Sequence, residues 1–181
     1  VELVYQTDAD VFPASWSTDG RYLAFDQPGQ GTGSDQWVLD LEGGPSAELF
    51  YQTEAEDGVG TFSPDGRWLA YWSEESGSGE IYVTPFPGPG RRVQVSANSG
   101  TWMQWRADGR EIFFQEENGA LKRVEVDGRG DTFTVGAVED VVDLQLPNLN
   151  GKKFSITADG EQVLTAISSQ DIQSPFVDLV V

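Results

Sequence analysis

One string of residues recurs four times along the chain, and it constrains the fold more than any other feature of the sequence. Its copies occupy residues 15–25, 61–71, 104–114 and 155–165. Each copy contains an Asp-Gly pair, and successive pairs are 46, 43 and 51 residues apart. A second string supports the same period, because residues 2–10 match residues 48–56 at an offset of 46. Self-similarity at one period indicates a repeat architecture.

Each copy of the string has the pattern of two short strands joined by a tight turn. Gly supplies the positive φ that such a turn needs, and Asp tolerates or caps the turn. We therefore expect each Asp to cap its own turn rather than to join a ring of carboxylates. The predicted turn residues are Asp19, Gly20, Asp65, Gly66, Asp108, Gly109, Asp159 and Gly160. No segment holds apolar residues at helical spacing, so we expect no helix.

The repeats predict an all-β protein, a β-propeller built of four-stranded antiparallel blades. Four strands in about 45 residues make one blade, whereas β-sandwiches do not repeat at this period. The hydrophobic or aromatic residue before each turn is expected to pack between blades. These residues are Trp16, Phe62, Trp105 and Ile156.

Residues 1–181 are expected to form a single propeller domain or a propeller fragment. The predicted blades span residues 10–53, 57–97, 100–142 and 150–181, with a third strand of the last blade at 176–181. Residues 2–7 are expected to act as the outer strand of another blade. They either complete the fourth blade of a small ring, or belong to a larger ring whose other blades come from upstream or from a second copy.

Composition excludes several kinds of chemistry. The chain has no His and no Cys, so it has no Ser-His-Asp triad, no thiolate nucleophile and no disulfide. It carries 30 Asp and Glu against 11 Lys and Arg, a formal charge of -19. That charge disfavours nucleic acid and anionic membranes as partners. A salt-adapted surface or an acidic binding face would each explain this charge. No apolar run is long enough to insert into a membrane.

The S-P-D-G-R-x-L-A-Y string of residues 63–71 resembles the TolB-like β-propeller repeats, which are relatives of the WD-repeat blades. Residues 62–114 look more specifically like propellers that follow serine/threonine kinase domains in some bacteria. The resemblance implies a sensor, scaffold or gating module of a larger bacterial protein. The chain has no kinase motif and no G-x-S-x-G elbow, so any catalytic domain would lie outside it.

The loops that precede the inner strands and the loops between second and third strands are expected to surround the channel mouth. Their carboxylates, amides and aromatic rings suit a cationic side chain or a peptide amine, and Ca²⁺ is a weaker alternative. Core packing is the competing interpretation of the two tryptophans. The candidate partner-face residues are Asp8, Asp10, Glu54, Glu56, Asp57, Trp72, Glu74, Asn98, Trp102 and Asn148.

The sequence predicts a non-catalytic module that binds a protein or peptide, with a basic partner favoured by the charge. It predicts no cofactor, no metal and no catalytic residue. One alternative is a half-ring that completes a larger propeller as a homodimer through open blade edges. Another is a glycoside hydrolase or lyase that uses carboxylates alone. The compartment stays open, with an extracytoplasmic location favoured.

Overall fold

The computed structural model describes residues 3–44, 46–88, 90–145 and 154–165. Every regular element in these ranges is a β-strand, and no helix in them is long and apolar enough to cross a membrane. The strands of the first sheet are β1 (Phe12–Trp16), β2 (Tyr22–Pro28), β3 (Ser34–Asp40) and β4 (Ser46–Tyr51). Those of the second are β5 (Asp57–Phe62), β6 (Trp68–Ser73), β7 (Glu80–Pro85) and β8 (Val93–Gln94). Those of the third are β9 (Thr101–Trp105), β10 (Glu111–Gln115), β11 (Ala120–Asp127) and β12 (Thr134–Gln145). A last pair comprises β13 (Phe154–Ile156) and β14 (Val163–Thr165).

Each four-stranded sheet is an antiparallel meander in which strands neighbour each other in chain order. This is the topology of a propeller blade, and the predicted all-β propeller is confirmed. We call the three sheets the first, second and third blades, and the β13–β14 pair the fourth unit. The third blade's outer strand extends past the predicted boundary at residue 142. The third strand predicted at 176–181 lies outside the described residues.

The Asp-Gly turns join the first two strands of every unit in the same way. In the second blade, Gly66 has a φ of +71° and donates its N–H to the carbonyl of Ser63 at 2.9 Å. Asp65 Oδ1 accepts hydrogen bonds from the Ser63 hydroxyl at 2.6 Å and from the Arg67 backbone N–H at 3.1 Å. Gly20, Gly109 and Gly160 have φ values between +71° and +75°. A side chain at such a position would strain the backbone, which is why the sequence has Gly there.

The sheets pack face to face, and each contact buries the residue that precedes an Asp-Gly turn. Phe62 packs with Ala24 and Val38 of the first blade. Trp105 lies in the cluster between the second and third blades, and Ile156 lies in the cluster between the third blade and the fourth unit. These three residues are 6%, 7% and 8% exposed, so the predicted packing is present at each of these contacts.

Trp16 holds the corresponding position in the first blade, but its side chain is 58% exposed. The expectation that it packs between blades is wrong for the described structure. The residues that bury its three counterparts come from the preceding blade, and no described sheet lies on that side of the first blade.

Residues 3–7 form no strand in the structure, in contrast to the outer strand expected at residues 2–7. Tyr5 instead packs on the first blade, with its ring centroid 5.5 Å from that of Phe25. A strand is defined by ladder hydrogen bonds to a neighbour, and the predicted neighbour lies outside the described residues.

The second and third blades are also joined through Arg67. Its guanidinium donates hydrogen bonds to the backbone carbonyls of Gly128, Arg129 and Gly130 at 3.2, 2.8 and 2.7 Å. The indole N–H of Trp68 donates to the Gly128 carbonyl at 2.9 Å. The turn of one blade is therefore fastened to the outer turn of the next.

Candidate functional site

The blades have two ends, and we name them by their connections. The loop face comprises residues 6–11, 26–35, 52–57, 73–80, 96–101 and 115–120, which connect second to third strands or lead into inner strands. The turn face comprises the Asp-Gly turns and the turns between third and outer strands. On the loop face the connections touch: Glu56 Oε2 accepts from the Ser34 N–H at 2.9 Å, and the Glu56 carbonyl accepts from the Glu74 N–H at 3.0 Å.

The loop face carries carboxylates and no basic residue. None of its segments contains Lys or Arg. Its acidic residues are Asp8, Asp10, Asp26, Asp35, Glu54, Glu56, Asp57, Glu74, Glu75, Glu80, Glu116 and Glu117. The arginines of the turn face are Arg21, Arg67, Arg91, Arg92, Arg106, Arg110 and Arg129. Most basic residues of the described chain thus lie outside the loop face, although two of their side chains reach it: Arg92 pairs with Glu75 at 2.5 Å and Lys122 pairs with Glu116 at 3.5 Å.

The structure places most of the predicted partner-face residues on the surface of the loop face. The exposed ones are Asp8, Asp10, Glu54, Glu56, Glu74 and Asn98. The main-chain hydrogen bond between Gly100 and Gly79, at 2.8 Å, brings the connection that contains Asn98 next to the loop that contains Glu74. Asn148 lies outside the described residues.

Asp57 differs from these residues because its side chain is sealed inside the protein, only 1% exposed. Its Oδ2 accepts hydrogen bonds from both the backbone N–H and the hydroxyl of Thr53, each at 2.7 Å. Burial raises its pKa above the ordinary value, and the hydrogen bonds from Ser73 and Thr53 oppose that rise. Asp57 therefore fastens the connection between the first and second blades, and its carboxylate is not on the surface.

Trp72 and Trp102 pack into the protein, in line with the competing interpretation of core packing. Trp72 packs against the cluster between the second and third blades. A Cβ added at Gly79 would fall 2.3 Å from its indole nitrogen, so the ring lies directly on that glycine. Trp102 packs against the cluster between the third blade and the fourth unit. It is the extra residue of a β-bulge, with a φ of +31°.

A cleft of about 650 Å³ between the first and second blades was not anticipated from the sequence. Arg92 lies inside it, with its guanidinium carbon 5.6 Å from the Tyr51 ring centroid and 4.6 Å from that of Tyr82. Arg92 also hydrogen-bonds the Tyr51 hydroxyl and pairs with Glu75 at 2.5 Å. Tyr71 contributes to the lining, and burial raises its pKa. The lining comes from separate repeats, so the sequence of a single unit did not predict it.

The described residues contain no group of three or more His, Cys, Asp or Glu side chains that could hold a metal ion. The acidic loops therefore give no support to the Ca²⁺ alternative over the part of the chain that is described. The exposed carboxylates of the loop face can attract a positively charged group. The buried Asp57 instead holds the backbone of its own connection through Thr53.

No protein-family model matches the chain, and no curated protein matches it either. Solved structures of other proteins do match the chain. TolB of Acinetobacter baumannii aligns with a TM-score of 0.68 and 20% identity over 92% of this chain and 40% of that one. The periplasmic gluconolactonase PpgL of Pseudomonas aeruginosa gives 0.55 and 21%, over 87% of this chain and 47% of that one.

An oligogalacturonate lyase in complex with manganese gives a TM-score of 0.59 and 17% identity, over 87% of this chain and 45% of that one. At these identities the likeness establishes the propeller fold and no activity. The chain spans less than half the length of these three structures.

Proposed function

We propose that the chain is a non-catalytic propeller module of a larger bacterial protein, and that its loop face binds a basic protein or peptide. The observation that carries this proposal is the loop face itself, where exposed carboxylates gather on connections that contain no Lys or Arg. Such a face attracts a basic segment at long range and repels acidic competitors.

The charge distribution favours a binding face over a salt-adapted surface. Salt adaptation would spread unpaired acids over the whole molecule. On the turn face, however, Asp40 pairs with Arg21 at 2.7 Å and Asp108 pairs with Arg106 at 2.7 Å. Exposed acids without an ion pair, such as Glu125 and Asp131, also lie elsewhere in the described part of the chain. The loop face differs from those regions because its segments contain neither Lys nor Arg.

The lactonase and lyase among the similar structures keep an enzyme as the alternative. The feature that would favour it is a carboxylate with a raised pKa, and Asp57 has one. Its side chain is sealed from solvent, however, so it cannot reach a substrate. Incubation with gluconolactone and with oligogalacturonate is expected to give no turnover, and measurable turnover would support the enzyme instead.

An extracytoplasmic location is part of the proposal. It is supported by the resemblance to TolB-like repeats and by the periplasmic lactonase among the similar structures. A kinase or other domain on the same polypeptide is the context that the sequence resemblance implies.

Binding of a fluorescent Lys/Arg-rich peptide, with an acidic peptide of equal length as the reference, tests the proposal. The triple variant Glu54→Gln/Glu74→Gln/Glu117→Gln should weaken binding of the basic peptide about tenfold at physiological salt. The control Glu42→Gln/Glu139→Gln/Glu161→Gln removes the same charge away from the loop face and should leave binding within about twofold. Equal losses in the two variants, or no binding of the basic peptide, would overturn the proposal.

A further inference from the structure

The face of the first blade that points away from the second blade is apolar and open. Trp16 and Leu23 are paired across β1 and β2, and Leu49 and Trp37 across β3 and β4, so their side chains lie on this face. Trp16 is 58% exposed and Leu49 is 44% exposed. Tyr5 covers Phe25, and Leu39 on the same face is also buried, so the open part of the face lies around Trp16 and Leu49. We call this surface the leading face.

The other units show what the leading face is built to contact. The residue at the position of Trp16 is Phe62 in the second blade, Trp105 in the third and Ile156 in the fourth unit. Each is less than 9% exposed, because the preceding blade covers it. Trp105 even donates its indole N–H to the Thr61 carbonyl of the second blade at 3.2 Å. The leading face therefore has the composition of a blade contact that occurs three times within the chain.

The opposite end of the described structure carries the complementary half of that contact. Leu164, on β14, is 60% exposed. Its counterparts are Ala24, Ala70 and Phe113, which are 0%, 0% and 1% exposed because the following blade covers them. We call the surface around Leu164 the trailing face. One chain thus presents both halves of the interface that its blades use internally.

We propose that the leading face of one copy packs against the trailing face of a second copy, and that the reciprocal contact closes a two-chain ring. The three similar structures are matched over 40%, 47% and 45% of their chains, so two copies supply about the length of one such chain. Two copies of four units give a ring of about eight blades, within the usual range. Two-fold symmetry makes the two contacts identical.

This inference stands apart from the loop-face proposal, since it concerns the sides of the blades rather than their ends. It also predicts an unusual salt dependence. Each copy carries a formal charge of -19, so the copies repel each other while the apolar faces attract. Salt screens the repulsion and leaves the apolar contact, so association should tighten as salt rises. Binding of a basic peptide to the loop face should weaken under the same change.

Sedimentation equilibrium of the 181-residue chain over a hundredfold range of concentration tests the proposal. The expected result is a dimer of twice 19.8 kDa that dissociates on dilution and tightens between low and high salt. Trp16→Glu and Leu164→Glu should each shift the chain to monomer, because each places a charge in the contact. Ala107→Glu adds the same charge at an exposed turn-face position and should leave the dimer intact.

Mixing the two variants separates head-to-tail pairing from other dimers. The Trp16→Glu chain keeps an intact trailing face and the Leu164→Glu chain keeps an intact leading face, so an equimolar mixture should regain a dimer with one contact. Circular dichroism checks that all variants keep the wild-type β-sheet spectrum. A wild-type chain that is monomeric throughout, a dimer that withstands both substitutions, or a mixture that stays monomeric would each overturn the proposal.

Discussion

The two ends of the blades use carboxylates in opposite ways. On the turn face each motif aspartate caps its own turn, as Asp19 does by accepting from the Ser17 hydroxyl at 2.5 Å and the Arg21 N–H at 3.0 Å. On the loop face most carboxylates are exposed and have no basic neighbour in the same segments. The difference teaches that an Asp directly before the Gly of a motif turn is held by its own turn, whereas the exposed carboxylates of the loop face are not held in this way.

The largest expected contrast between the two ends comes from removing one carboxylate at each. Asp65→Ala deprives the buried Ser63 hydroxyl and the Arg67 N–H of their acceptor. It should lower the free energy of unfolding by about 1–2 kcal/mol. Glu74→Ala, on the loop face, should stay within about 0.5 kcal/mol of wild type. Urea denaturation of both variants measures the contrast, and equal effects would abolish the distinction between the ends.

Asp57 is the exception on the loop face, and Asp57→Asn isolates it. Burial raises the pKa of this carboxyl, so its charged form costs stability at neutral pH. Asn keeps an oxygen to accept from Thr53, and should raise the free energy of unfolding by about 1 kcal/mol at pH 7. As pH falls through this raised pKa, wild-type Asp57 becomes protonated in the folded state before it does so in the unfolded state. The difference in unfolding free energy between the variant and wild type should therefore narrow at low pH. A variant that is less stable than wild type at pH 7 would contradict this account.

The smallest expected effect is on how much unfolding free energy the turn face loses at low pH. Hydrogen bonds from Arg106 hold the pKa of Asp108 at about 2, below its ordinary value. This stabilisation is complete above the unfolded pKa of about 4 and is lost as pH falls toward 2. Because Asp108 is half exposed, the contribution should be at most about 1 kcal/mol.

Arg106→Gln should reduce the difference in unfolding free energy between pH 5 and pH 2.5. Arg123→Gln, which removes a pair with Glu139 that lies away from the turns, is the matched control. If this difference in unfolding free energy is the same in the two variants, the low pKa of Asp108 does not contribute to stability.

The sequence predicted the fold because turn chemistry and period are local properties. The spacing from one Asp-Gly pair to the next is enough to set four strands per unit, and the turn geometry follows from Gly at positive φ. Burial is not local. Trp16 and Phe62 occupy equivalent positions in the sequence, yet among the described strands only Phe62 has a blade in front of it.

The exposure of the loop-face carboxylates could be predicted for the same reason, because it follows from their place in the repeat. The burial of Asp57, the bulge at Trp102 and the cleft around Arg92 depend on contacts between different units. A single unit of the repeat therefore carried no signal for them.

The fastening of Arg67 to the third blade has a consequence for how the blades hold together. Three backbone carbonyl oxygens converge on one guanidinium, an arrangement of oxygen ligands that elsewhere surrounds a bound cation. Here the neighbouring blade supplies the positive charge as part of its own chain. This contact between the blades needs no ion from solution, so chelators and changes of ionic composition should leave its hydrogen bonds intact.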